Sequence, residues 1–142
     1  MRGHAVLIRS KNAALIWIAD PRIAAVPQLK RQCGAIASEF FGRPSHKLRM
    51  VASTGTNGKT STTWWIAQAL GALGQRCAVV GTLGIGEPPP ADALAAAPLP
   101  GNGFTTPDAV MLQRSLQALV AQGVAACAIE ASSIGLAEHR LA

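Results

Sequence analysis

Acidic residues are scarce in this chain: seven, against thirteen lysines and arginines, for a net charge of +6 over 142 residues. Aromatics are scarcer still, at 4% with no tyrosine. Nine of the thirteen basic residues precede Thr54, where the acids are Asp20 and Glu39. A basic first third suits nucleic acid, anionic lipid or a phosphorylated small molecule. With no aromatic interleaving and no basic run, nucleic acid is set aside, and solvated faces account for most of the charge. Cys33, Cys77 and Cys127 are odd in number, far apart and never in a C-x-x-C pattern. Each lies in an apolar stretch, so they read as reduced core residues of a cytosolic protein rather than a disulfide framework. Long apolar runs are missing too: residues 13–19 are stopped by Asp20-Pro21, and no signal-peptide architecture precedes them. The expectation is a soluble, cytoplasmic protein with no membrane insertion. What is abundant, 49% hydrophobic against 14% charged residues, fits a buried α/β sheet and argues against disorder.

The chain is organised around residues 48–74: a short apolar run, the loop Thr54-Gly55-Thr56-Asn57-Gly58-Lys59-Thr60-Ser61, and a helical pattern. Gly55 and Gly58 permit a tight bend and close approach of a ligand to the backbone. The first N–H groups of the following helix have no internal partner and lie at its positive end. Lys59 can reach β- and γ-phosphates, and Thr60 offers a hydroxyl to Mg2+. Ser53 stands where G-x-x-x-x-G-K-[ST] has its first glycine, so this is a variant phosphate cradle.

Ahead of it, residues 4–8 and 14–19 read as short buried strands, too few for an independent sheet. Pro27 in a first turn, then Leu29, Cys33, Ile36 and Phe40 at helical spacing, predict a helix with a core-facing apolar side ending near Gly42 and Pro44. After the loop helix, Gly74 predicts a C-cap and residues 76–82 a buried strand. Residues 84–103, with Pro88, Pro89, Pro90, Pro98 and Pro100, are expected to lack regular pairing, their Ala/Pro centre forming a mobile insertion. Thr106 as N-cap, Pro107 and Asp108 start another helix, with Leu112, Leu116, Leu119 and Val120 on one face up to Gly123. Residues 124–129 form a last strand. It delivers Glu130 to the end of the sheet where open α/β folds keep ligands, in the manner of a Mg2+ ligand.

Three segments carry a family resemblance. The loop at Thr54–Ser61 resembles the ATP loop of the Mur ligases, with a close relative in folylpolyglutamate synthases. Thr105-Thr106-Pro107 is similar to the Thr-Thr-Pro of MurE-type ligases, and the segment from Glu130 to Arg140 to their E-x-S-S-H-G-L-x-x-x-R. The stretch Val26-Pro27-Gln28-Leu29, with Phe41-Gly42-Arg43-Pro44-Ser45, is similar to the helix that links their uridine-binding and central domains. The resemblance implies a P-loop three-layer α/β fold with a mostly parallel sheet. It divides the chain into the tail of a uridine-binding domain (1–25), a linker helix (26–47) and part of a central ATPase domain (48–142).

It also implies an ATP-dependent amide ligase that adds diaminopimelate or lysine to UDP-N-acetylmuramoyl-L-alanyl-D-glutamate through an acyl phosphate. Gly55, Thr56, Asn57, Gly58, Lys59, Thr60 and Ser61 would bind ATP, with Lys59 catalytic. Thr60 and Glu130 would hold Mg2+, and Thr105, Thr106, Ser132, Glu138 and Arg140 would contact the muramoyl peptide. Two positions depart from the pattern: Ile134 replaces a histidine, and Glu138 a glutamine, whose hydrogen-bond donor an ionised carboxylate lacks. His139 reads as a surface or structural residue. The chain is expected to be a fragment incapable of full turnover, its sheet ending in an unpaired apolar edge. The alternatives are another Mur ligase or a folylpolyglutamate synthase, and a non-catalytic P-loop module.

Overall fold

The structure, a computed structural model, describes residues 7–9, 23–93, 99–101 and 105–141. In chain order these form β1 (Leu7–Arg9), β2 (Ile23–Ala25), α1 (Leu29–Phe40), a 3-10 turn (Pro44–Lys47), β3 (Arg49–Ser53) and α2 (Lys59–Ala72). They continue with β4 (Cys77–Gly81), β5 (Gly84–Gly86), α3 (Ala109–Ala121), β6 (Ala126–Glu130) and α4 (Ser133–Ala137). β1 and β2 pair with each other in parallel, and the remaining strands make one sheet in the order β3-β6-β4-β5. β3, β6 and β4 run parallel, while β5 is antiparallel to β4.

The two central strands are buried along their whole length, as parallel strands covered by helices must be. Their side chains alternate between two cores. Cys77, Val79, Ala126 and Ala128 meet Ala67, Trp64, Ile66 and Leu70 of α2. Ala78, Val80, Cys127 and Ile129 meet Leu112, Leu116 and Leu119 of α3. Helix, sheet and helix form three layers. Leu116 is 1% exposed at the centre of the α3 side, so Leu116→Ala is expected to cost about 3 kcal/mol of stability by leaving a cavity. Urea unfolding is the measurement, and a loss under about 1 kcal/mol would mean that the site collapses without strain.

Several sequence expectations change. α1 begins at Leu29 after Gln28 in the left-handed region, so Pro27 lies outside its first turn. Its buried residues are Gly34 and Ala37, whereas Phe40 is 81% exposed. The apolar spacing therefore marks only a partly covered face. The stretch predicted to lack pairing contains β5, joined to β4 by the two-residue turn Thr82-Leu83. The prolines begin only after that strand, so they do not oppose it. α3 is capped by Asp108, whose Oδ1 accepts from the N–H groups of Val110 (3.0 Å) and Met111 (2.9 Å). Thr106 is not the cap. The predicted strand at 14–19 and the Ala/Pro centre at 94–98 lie outside the described residues. On the described flanks, Gln68 donates to Pro89 O and Ile85 N–H to Pro100 O.

Gly74 (φ 75°) closes α2 as expected: its N–H bonds Gly71 O while that of Gln75 bonds Leu70 O, the paired geometry of a Schellman end. Cys77 and Cys127 lie in the core, and burial pushes the Cys127 thiol up to about 12. Cys33 is half-buried on α1 rather than a core residue. A thiol reagent is therefore expected to label Cys33 alone under native conditions and all three cysteines in denaturant. Mass spectrometry of the labelled chain reads this directly, and rapid native labelling of Cys127 would contradict the packing described here.

Candidate functional site

The carboxyl ends of β3, β6 and β4 converge on one spot. Ser53, the last residue of β3, lies in register with Glu130, the last of β6, and the N–H of Ala131 bonds Ser53 O at 2.8 Å. The chain leaves β3 through a bend in which Gly55 has φ 136° and Gly58 φ 79°, both values that disfavour a side chain. Gly58 then opens α2 with no side-chain cap and no acid in the first turn. An uncapped helix start beside a glycine bend has the donor set and the partial charge that suit an anion.

Thr60 Oγ1 donates to Glu130 Oε2 at 2.9 Å. Glu130 is 1% exposed, and its other oxygen accepts the backbone N–H of Thr82 at 2.8 Å. A buried carboxylate needs such donors to offset lost hydration. Lys59 Nζ turns onto the carbonyls of Gly55 (2.7 Å) and Thr56 (3.4 Å), closing the bend on itself. Thr56, Asn57 and Ser61 are exposed around it. Ser61 and Thr60 border a cavity of about 190 Å³ with Trp64, Trp65 and Leu83.

A second group of predicted residues adjoins the first. Thr106 is buried, and its hydroxyl donates to Glu130 O at 2.9 Å, bonds Ser132 Oγ at 2.9 Å and accepts the N–H of Ser132 at 3.1 Å. That tertiary pull is why Asp108 rather than Thr106 caps α3. Ser132 Oγ in turn caps α4 by accepting from Gly135 N–H at 3.0 Å. Arg140 Nη1 donates to Thr106 O at 3.1 Å, and Thr105 Oγ1 lies 3.0 Å from Thr82 Oγ1. Thr105, Thr106, Ser132 and Arg140 are thus brought together on one side of Glu130.

Glu138 is engaged elsewhere. It pairs with Lys30 of α1, and that hydrogen bond, with the nearby charge, holds its carboxyl below the usual range. His139, in the left-handed region at φ 54°, lines a cavity of about 320 Å³ with Lys30, Cys33, Asp108 and Arg140. Ile134 is 66% exposed.

Gly81 and Thr82, at the end of β4, were passed over in the sequence. A Cβ on Gly81 would sit 2.1 Å from Glu130 Oε1, and Thr82 bonds both Glu130 oxygens, through its N–H and, at 3.3 Å, its hydroxyl. Gly81 ends a buried parallel strand and Thr82 follows it at once, both beside Glu130, the location already singled out as the ligand end of the sheet. That signal was available.

A parallel strand, a glycine bend, a Lys-Thr helix start and an acid on the adjoining buried strand define a P-loop type of α/β domain. The family model for the Mur ligase middle domain matches residues 54–142. The chain belongs to that family. It is 49% identical to the UDP-N-acetylmuramoyl-L-alanyl-D-glutamate–2,6-diaminopimelate ligase of Acidovorax sp. (strain JS42), over 99% of this chain and 28% of that protein. The similarly named ligases of Ralstonia nicotianae and Pseudomonas aeruginosa are 46% and 40% identical, over 96% and 97% of this chain and 25% and 27% of theirs. A solved structure bearing the same ligase name superposes with a TM-score of 0.69 at 33% identity, covering 87% of this chain and 24% of its own. The chain therefore spans about a quarter of the length of the relatives it matches. No helix among the described residues is long and apolar enough to cross a membrane.

Proposed function

We propose that this chain is part of an ATP-dependent ligase that joins diaminopimelate to UDP-N-acetylmuramoyl-L-alanyl-D-glutamate. The observation that carries the reading is the 2.9 Å contact between Thr60 and Glu130 at the mouth of an uncapped, glycine-led helix. The donor set fits Mg2+ with a nucleotide: one hydroxyl and one carboxylate stand together, and among the described residues no cluster of three His, Cys, Asp or Glu forms a complete cage. Mg2+ typically takes one or two protein oxygens and completes its shell with phosphate and water.

In this reading Gly55, Thr56, Asn57, Gly58 and Ser61 line the polyphosphate, Lys59 exchanges its two loop carbonyls for phosphate oxygens, and Thr60 and Glu130 hold the cation. When bound, Mg2+ supplies the positive charge that screens the γ-phosphate from an attacking carboxylate. Lys59 and the amides of the bend add fixed positive potential where charge develops. Thr105, Thr106, Ser132 and Arg140 orient the muramoyl peptide so that its carboxylate attacks the γ-phosphate, releasing ADP and forming the acyl phosphate; the amine of diaminopimelate then attacks the acyl carbon and inorganic phosphate leaves. Arg140 is suited to this because a guanidinium bonds two oxygens of one anion at once. Glu138, engaged by Lys30 of α1, is left out of the proposed substrate contacts.

We further infer that residues 1–25 belong with a preceding uridine-binding domain, 26–47 with a linker and 48–142 with the ATPase domain. That β1 and β2 share no strand with the main sheet supports the division. The cytoplasm, where nucleotide and UDP-linked precursor meet, is the proposed location. The test is ADP release by the complete protein, given UDP-muramoyl dipeptide and diaminopimelate or, in parallel, a folate. Turnover with the muramoyl dipeptide is expected. Turnover with folate alone, or nucleotide binding indifferent to any carboxylate, would overturn the reading.

A further inference from the structure

We propose that Thr82 is a positioning residue through which occupancy at Glu130 and occupancy at Thr105 are coupled; the inference rests on the ligase reading above. Four side chains form a continuous line. Thr60 Oγ1 reaches Glu130 Oε2 at 2.9 Å, Thr82 Oγ1 reaches the same oxygen at 3.3 Å, and Thr105 Oγ1 lies 3.0 Å beyond Thr82. The line starts in the first turn of α2, crosses the end of the sheet and stops at the first of the two threonines expected to meet the muramoyl peptide.

The direction of these bonds is constrained by proton counting. An ionised carboxylate accepts only, and a hydroxyl carries a single proton. Thr82 is the donor in both of its bonds, to Thr105 Oγ1 at 3.0 Å and to Glu130 Oε2 at 3.3 Å, and its single proton serves only one of them at a time. While that proton is on Glu130, the Thr105 hydroxyl has lost the donor that orients it. Once Glu130 Oε2 is engaged by a cation, the hydroxyl of Thr82 turns fully to Thr105, which fixes Thr105 as an acceptor on that side and aims its own proton at a ligand oxygen. Nothing leaves the protein; hydroxyls rotate. The backbone N–H of Thr82 holds Oε1 at 2.8 Å throughout, so Glu130 stays in place while the hydroxyls change partners.

The experiment uses the complete protein that carries this chain, with isothermal titration calorimetry of Mg2+ plus a non-hydrolysable ATP analogue, in the absence and presence of UDP-muramoyl dipeptide. In the wild type each ligand is expected to tighten the other by roughly tenfold, within the usual span of coupling between sites. Thr82→Val keeps the β-branched shape and the backbone N–H but removes the hydroxyl. It is expected to abolish the mutual effect while both ligands still bind. Thr82→Ser restores the effect. Thr105→Val, breaking the line at its other end, abolishes it as well, and the double variant adds nothing further. Mutual tightening that persists in Thr82→Val overturns the proposal, as does a wild type that binds both ligands independently. A wild type that binds no Mg2+-nucleotide at all fails the ligase reading itself, and this inference falls with it.

Discussion

Lys59→Ala, made in the complete protein, is expected to abolish acyl-phosphate formation while leaving the fold standing. Among the described residues the Lys59 amine bonds Gly55 O and Thr56 O, both in its own exposed bend. Removing it breaks no packing, and substitutions of that kind usually change stability by less than about 0.5 kcal/mol. The chemistry is another matter. Two anions, a carboxylate and a triphosphate, have to meet. A fixed cation at a phosphoryl centre contributes on the order of 10³-fold or more to the rate. Single-turnover ADP formation with muramoyl dipeptide measures the loss, and urea unfolding verifies the fold. Near-normal turnover would remove the phosphate cradle from the account.

The second large effect is expected from Gly81→Ala. The added Cβ would lie 2.1 Å from Oε1, 2.7 Å from Cδ and 2.8 Å from Cγ of Glu130, so the whole carboxylate must move, not only its tip. It has nowhere cheap to go. Its oxygens are held by Thr60 Oγ1 and by the N–H and hydroxyl of Thr82, and the side chain is sealed from solvent. Overpacking together with the loss of bonds to a buried charge is expected to cost about 2–4 kcal/mol. Gly81 does not have a positive φ, so the backbone itself accepts alanine and the penalty is traceable to Glu130. Calorimetry should show Mg2+-dependent nucleotide binding lost. Wild-type affinity in Gly81→Ala would mean that Glu130 is not a metal ligand.

What could be read in the sequence was local. The bend needs glycine at 55 and 58, and Lys59-Thr60 follow at once, so the whole cradle sits within one short segment. The leucines of α3 and the apolar run of β6 announced themselves by period. Contacts that cross the sheet did not. Thr106, Pro107 and Asp108 all suit a helix start, and only the pull of Glu130 O and Ser132 on the Thr106 hydroxyl leaves Asp108 to cap. Gly81 looks like any strand glycine until Glu130, on another strand, is placed against it. Glu138 was read through a glutamine in relatives, whereas its partner Lys30 lies far away on α1. β5 was hidden because glycine and proline dominate its surroundings, although only three residues pair there.

The register between β3 and β6 has an arithmetic consequence. Ser53 lies opposite Glu130, and odd and even positions of β6 serve opposite helices. One residue inserted between Val124 and Ile129 would turn the strand inside out, sending the acid to the wrong layer and the core side chains to the wrong neighbours. Two inserted residues would preserve the facing but push the carboxylate a full repeat past the bend. Natural variation in this segment is therefore expected to proceed by exchange of residues of similar volume and never by change of length.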